Sequence, residues 1–168
     1  MILSKLFARK PDAASRLYAA IVAAARQEKF YAEMEVPDTM DGRFDMIVLH
    51  MFLVLDRLKG EGEGFRQRLT DVFFSDLDRT LREMGVGDLS VSKKIRPMAE
   101  AYTGRIKAYA LATDQSINAL VEALQRNVYA GVANPKALEL AIWMKDIKAK
   151  LASTPTSKLL DGELDLQS

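Results

Sequence analysis

The sequence predicts an all-α fold, a single compact domain of about six helices within 168 residues. Three observations predict it. Apolar residues recur at helical intervals along most of the chain. The breaks between those runs carry proline, glycine or the capping residues Ser, Thr and Asp. No segment alternates apolar and polar residues as a half-buried strand would. The length suffices for one core and leaves little for a second domain.

The first helix is expected from about Asp12 to Glu28, with Pro11 and Asp12 at its start and Leu17, Ile21 and Val22 facing inward. VPDTMDGRF, residues 36–44, supplies a turn in which Pro37 fixes the backbone and Asp38, Thr39 or Asp41 caps the next helix. From Phe44 this second helix carries Ile47, Val48, Met51, Phe52, Leu55 and Leu58 on one stripe. Met46, Leu49, Leu53 and Val54 fill its other side, so it is expected to be central and buried nearly all round. KGEGEG, residues 59–64, is the next break.

The third helix spans about Phe65 to Met84, with Leu69, Val72, Phe73, Leu77, Leu81 and Met84 at helical spacing. Gly85 and Gly87 then permit a sharp stop inside LDRTLREMGVGDLSVSKK, residues 77–94. Ser90 or Ser92 is expected to cap the fourth helix, with Pro97 in the first turn as the other start; Met98, Tyr102, Ile106 and Tyr109 line one face. Thr113 or Asp114 caps a fifth helix to about Tyr129, and Asn134 with Pro135 opens a sixth that carries Leu138, Ile142, Trp143 and Ile147. The expected organisation is a flexible segment over 1–11, the helical domain over 12–152 and a mobile tail over 153–168.

Composition excludes several kinds of chemistry. With no cysteine there are no disulfides, thiolate nucleophiles or cysteine-held metal clusters, and one histidine, His50, rules out paired-imidazole sites. No cofactor is expected. The net charge of +1 predicts no general affinity for nucleic acid and no specific DNA binding. The longest apolar stretch, Met46 to Leu55, falls far short of the roughly 20 residues of a membrane helix. The Leu17 to Ala25 run begins too late and is too rich in alanine for a signal peptide. Asp71, Asp76 and Asp78 imitate a carboxylate site, but no phosphate loop, nucleophile with a base, or dinucleotide fingerprint accompanies them, so no enzyme is expected.

The small net charge hides a blocked distribution. Residues 1–30 carry six basic and two acidic side chains, residues 31–64 three and eight, and Val91 to Ala110 sets Lys93, Lys94, Arg96, Arg105 and Lys107 against Glu100 alone. Such blocks suit solvated helix faces, or a basic face that meets anionic lipid, ribosomal RNA or an acidic client. Of eight methionines, Met46, Met51, Met98 and Met144 read as core; Met34, Met40 and Met84 lie where a flexible, polarizable side chain suits an apolar client. His50, inside the most apolar helix, reads as a core histidine.

Three blocks are familiar together: VPDTMDGRFDMIVLHMFLVLDRL at 36–58, DLDRTLREMGVGDLSVSKKIRPMAEAYTGRIKAY at 76–109 and QRNVY at 125–129. They resemble the ubiquinol-cytochrome c chaperone family, the assembly factors of the respiratory quinol-cytochrome c reductase. The resemblance implies an α-helical chaperone domain that receives newly made cytochrome b, in mitochondria together with a small partner subunit near the ribosome exit, and protects it until haem arrives. It marks Asp41, Arg43, Asp78, Arg79, Arg82, Met84, Lys93, Lys94, Arg96 and Arg105 as candidates for the client or partner surface. Arg43 and Arg105 have an alternative role, an internal ion pair with Asp41, Asp45 or Asp78. The start lacks the long basic leader of mitochondrial members, so a bacterial or otherwise minimal version is expected. Its place would be the cytoplasm, or the inner face of the membrane with MILSKLF touching it. Competing readings are a carrier of haem or another cofactor with His50 or a methionine as ligand, and a permanent structural subunit of a membrane complex.

Overall fold

The computed structural model describes residues 10–166. They form eight helices: α1 (Ala13–Ala25), α2 (Glu28–Ala32), α3 (Met40–Arg57), α4 (Glu63–Glu83), α5 (Asp88–Gln115), α6 (Ile117–Asn127), α7 (Lys136–Ser153) and α8 (Thr156–Leu160). The six long ones correspond to the six expected from sequence. Among the described residues there is no strand, and no helix is long and apolar enough to cross a membrane. MILSKLF, and most of the segment expected to be flexible, lie outside the described residues.

α3 forms the axis of the domain. Eleven of its 18 residues are buried, on every side of the helix, as its doubled apolar pattern requires. α1, α5 and α7 pack directly around it, α4 closes against α1 and α5, and α6 bridges α5 and α7. His50 sits in this core with no exposure. Its Nδ1 lies 2.8 Å from the Met46 carbonyl, to which it donates, and its ring lies between Phe30 and Trp143 at centroid distances of 5.3 and 5.1 Å. Burial pushes its pKa down to about 4, so the ring is neutral.

Several stops obey the chemistry read from the sequence. Asp12 caps α1 by accepting from the Ser15 N–H, and Thr39 caps α3 by accepting from the Gly42 N–H. α4 ends in a Schellman turn: Gly85 sits at φ +87°, the Val86 N–H bonds the Leu81 carbonyl and the Gly85 N–H bonds the Arg82 carbonyl.

Three expectations are corrected. α5 starts at Asp88, before Ser90 and Ser92, and runs through Pro97. The carbonyl that Pro97 cannot serve belongs to Lys93, an exposed residue where water can take the acceptor. α6 is capped by Ser116, whose Oγ accepts from the Ala119 N–H; the Thr113 hydroxyl is spent on the Tyr109 carbonyl inside α5. Residues beyond 153, expected as a mobile tail, fold back: Leu159 and Leu166 are buried. Arg57, at the end of α3, donates to the Leu151 and Thr154 carbonyls and to Thr156 Oγ1 at 2.8–2.9 Å, and Arg16 donates to the Asp161 carbonyl.

The first turn of α3 depends on glycine. A Cβ at Gly42 would collide with the Pro37 carbonyl oxygen, so only hydrogen lets the 36–39 turn press against the helix. Gly104, inside α5, has nothing within 4 Å of its would-be Cβ. Gly42→Ala is therefore expected to destabilise the protein by about 2 kcal/mol or more in urea unfolding, whereas Gly104→Ala is expected to stabilise it by about 0.5–1 kcal/mol.

Candidate functional site

The N-terminal half of α3 is where the core reaches the surface. A groove of about 480 Å³ runs between this half, the C-terminal half of α4 and Met98 of α5. Phe44, Ile47, Phe73, Leu77 and Leu81 line its interior, and Met40, Met84 and Met98 stand around them. Met40 and Met84 are 53% and 54% exposed, although each is large and apolar. Three unbranched thioethers around an apolar trough make a wall that can adapt to side chains of different shape.

The rim is polar at one end. Arg43 Nε holds Asp38 at 2.8 Å, Tyr18 donates to Asp76 at 2.9 Å, and Arg79 pairs with the other oxygen of Asp76. Arg26 also lines the groove, is exposed, and makes no ion pair among the described residues. The contact between Arg43 and Asp38 is a surface pair, worth little to stability and open to exchange with a charged partner.

A second depression of about 440 Å³ lies beyond Phe44 and Met98, which wall both. Pro37, Asp41, Asp45, Pro97, Arg105 and Arg126 contribute to it. Arg105 Nη2 approaches Asp45 Oδ1 to 2.8 Å, and its guanidinium lies 5.7 Å from the Phe44 ring centre. This is an ion pair without good hydrogen-bond alignment, since Asp45 Oδ1 and Arg105 Nε find no acceptable hydrogen-bond partner. The Asp45 side chain is 8% exposed. Burial raises its pKa to about 7 against the opposing pull of Arg105.

The ten residues marked from sequence thus divide. Arg43 and Met84 line the groove, and Asp41 and Arg105 line the depression beside it. Arg105 also takes the internal role, with Asp45 as partner, while Arg43 pairs with Asp38. Asp78, Arg79 and Arg82 lie along α4: Arg82 holds Asp78 at 2.7 Å and reaches across the glycine turn to Asp88, so it ties α4 to α5. Lys93, Lys94 and Arg96 are exposed on α5 outside both hollows, Arg96 facing Glu100 at 3.4 Å. Sequence reasoning missed Phe44, Ile47 and Met98 as groove residues, having taken Phe44 as the start of a helix and Ile47 and Met98 as core. For Phe44 and Ile47 the available signal was their place just after Met40, at the start of α3 behind a proline turn; Met98, on α5, carried none.

The family model described as "Ubiquinol-cytochrome C chaperone" matches residues 32–166. The chain belongs to this family. A crystal structure of the Cbp3 homolog from Brucella abortus superposes with a TM-score of 0.80 at 38% identity, covering 92% of this chain and 90% of that one. The ubiquinol-cytochrome-c reductase complex assembly factor 1 of Xenopus laevis is 25% identical over 155 residues, 90% of this chain and 75% of the frog protein. The yeast mitochondrial protein CBP3 is 28% identical over 130 residues, 73% of this chain but only 38% of its own length. The chaperone family match includes both hollows in full except Tyr18 and Arg26, which lie before residue 32.

The Asp45 environment has a consequence for pH. Its folded pKa stands above the ordinary 3.8 of the unfolded chain, so between about pH 4 and 7 the native state holds more protons and this group's contribution to stability falls as pH rises. In thermal unfolding compared at pH 4.5 and 7.5, Asp45→Asn is expected to gain on the parent protein by on the order of 1 kcal/mol or more as pH rises. If Arg105 dominated instead, the parent would gain.

Proposed function

We propose that this protein is an assembly chaperone of ubiquinol-cytochrome c reductase whose α3–α4–α5 groove holds an apolar segment of newly made cytochrome b. The observation that carries this reading is the groove itself: apolar inside, bordered by two half-exposed methionines, and ringed by charge that is paired only at the surface. An amphipathic or wholly apolar helix lying in it would bury Met40 and Met84 and leave Arg26 for an acidic residue of the client. Binding of this kind is reversible, because flexible side chains lose rotamer freedom when they close on a client.

Family membership supports the same direction, since the family is named for a chaperone and the frog relative for assembly of the reductase complex. In this reading the protein acts at the inner face of the membrane that receives cytochrome b, with a small partner subunit or the ribosome exit region as further contacts. The exposed residues outside the groove, Lys93, Lys94 and Arg96, are open to such partners. The haem-carrier reading gains nothing from His50, whose ring is enclosed in the core.

The test is complementation of a deletion strain, followed by reduced-minus-oxidised absorbance of its membranes and by reductase activity. The parent gene is expected to restore b-type haem and activity. Met40→Glu combined with Met84→Glu is expected to lower both at least several-fold without loss of folding, since both side chains are half-exposed. Full rescue by that double variant would reject the groove as the client site, and an unchanged signal in the deletion strain itself would reject the function.

A further inference from the structure

Leu89 is 89% exposed, the most open large apolar side chain among the described residues. It stands in the first turn of α5, just past the glycine stop that also leaves Met84 54% exposed. At 89% exposure this leucine, in a turn between two long helices, has no packing role among the described residues. Its neighbours on the same helix are cationic. Lys93 lies four residues on, hence on the same face, Lys94 adjoins it, and neither makes an ion pair among the described residues.

The acids near this turn are largely answered. Arg82 holds both Asp78 and Asp88, and Glu83 lies in the field of Arg79. Further along α5, Glu100 faces Arg96. What remains uncompensated on this end of the molecule is positive charge from Lys93 and Lys94 beside an apolar tip. Of the other exposed apolar side chains, Leu138 and Ile142, four residues apart on α7, differ: Glu139, Lys145 and Asp146 lie near them with both signs.

We propose that the α4–α5 turn is a membrane-surface contact, in which Leu89 enters the headgroup–acyl boundary of an anionic leaflet while Lys93 and Lys94 meet lipid phosphates. An apolar tip with adjacent unpaired lysines fits that boundary, where apolar burial and attraction to anionic lipid act together. Neither contribution is large, so attachment is weak and salt-sensitive. The inference does not depend on which client the groove takes. It does orient the groove, because Met84 belongs both to the turn and to the groove wall.

The test is co-sedimentation of the full chain with vesicles of phosphatidylcholine alone and of phosphatidylcholine mixed with phosphatidylglycerol. Binding is expected to the mixed vesicles only, and to weaken with added salt. Replacing both Lys93→Glu and Lys94→Glu is expected to lower vesicle partitioning at least about 25-fold, at about five-fold for each lysine lost. Leu89→Ser is expected to lower it about ten-fold, and Ile142→Ser on α7 to leave it unchanged. Far-ultraviolet circular dichroism checks that each variant is folded. Failure to bind the mixed vesicles would overturn the proposal. So would equal binding to both vesicle types, binding untouched by the Leu89 and lysine replacements, or binding to RNA in place of the vesicles.

Discussion

The structure depends on α3 being enclosed. A helix with Met46, Val48, Leu49, Met51, Phe52, Leu53, Val54 and Leu55 all buried cannot lie on a surface, and each such large side chain contributes about 1.5–3 kcal/mol when removed from water. The rest of the chain is arranged to enclose it. α1, α5 and α7 form the shell, and Arg57 at its C-terminal end draws the 151–156 segment over the last turn. The same demand explains why a segment beyond 153 with few apolar residues still folds: Leu159 and Leu166 find places in a core that is already built.

Enclosure fails at one end, and the failure is where the site lies. The tight 36–39 turn, held against Gly42, brings the chain into α3 too abruptly to cover its first two turns. α4 runs on past Phe73 to its glycine stop, and α5 begins beyond it. Phe44 and Ile47 are left partly buried with methionines around them. Thioethers tolerate this position, being apolar enough to line the trough and flexible enough to change shape when something enters. The pair of Asp45 and Arg105 lies in the adjoining depression, and the Arg105 guanidinium stands over the Phe44 ring from that side.

Much of this was legible in the residues. The all-round apolar pattern of α3, the caps at Asp12 and Thr39, and the stop at Gly85 each arise from local chemistry, and each is present. The start of α5 was not legible, because Pro97 and two serines offer local starts that a long helix with an exposed Lys93 carbonyl overrides. Arg57 carried no signal in sequence, since its acceptors are carbonyls more than 90 residues away. In the site, residue type pointed to Arg43 and Met84 but could not separate them from Arg82. The structure shows Arg82 paired four residues back with Asp78 on the α4 surface. Ile47 and Met98 were read as core because periodicity tells which face is apolar and not whether a neighbour covers it.

If the open end of α3 holds cytochrome b, as proposed, the side chains of the groove touch it. The most direct measurement places a photo-crosslinking amino acid at Met40 or Met84 in the groove, and at exposed Leu138 on α7 outside it, in cells making labelled cytochrome b. Crosslinks to cytochrome b from Met40 and Met84, with none from Leu138, are the predicted result. Crosslinks from Leu138 alone, or a groove that captures only other proteins, would contradict the account.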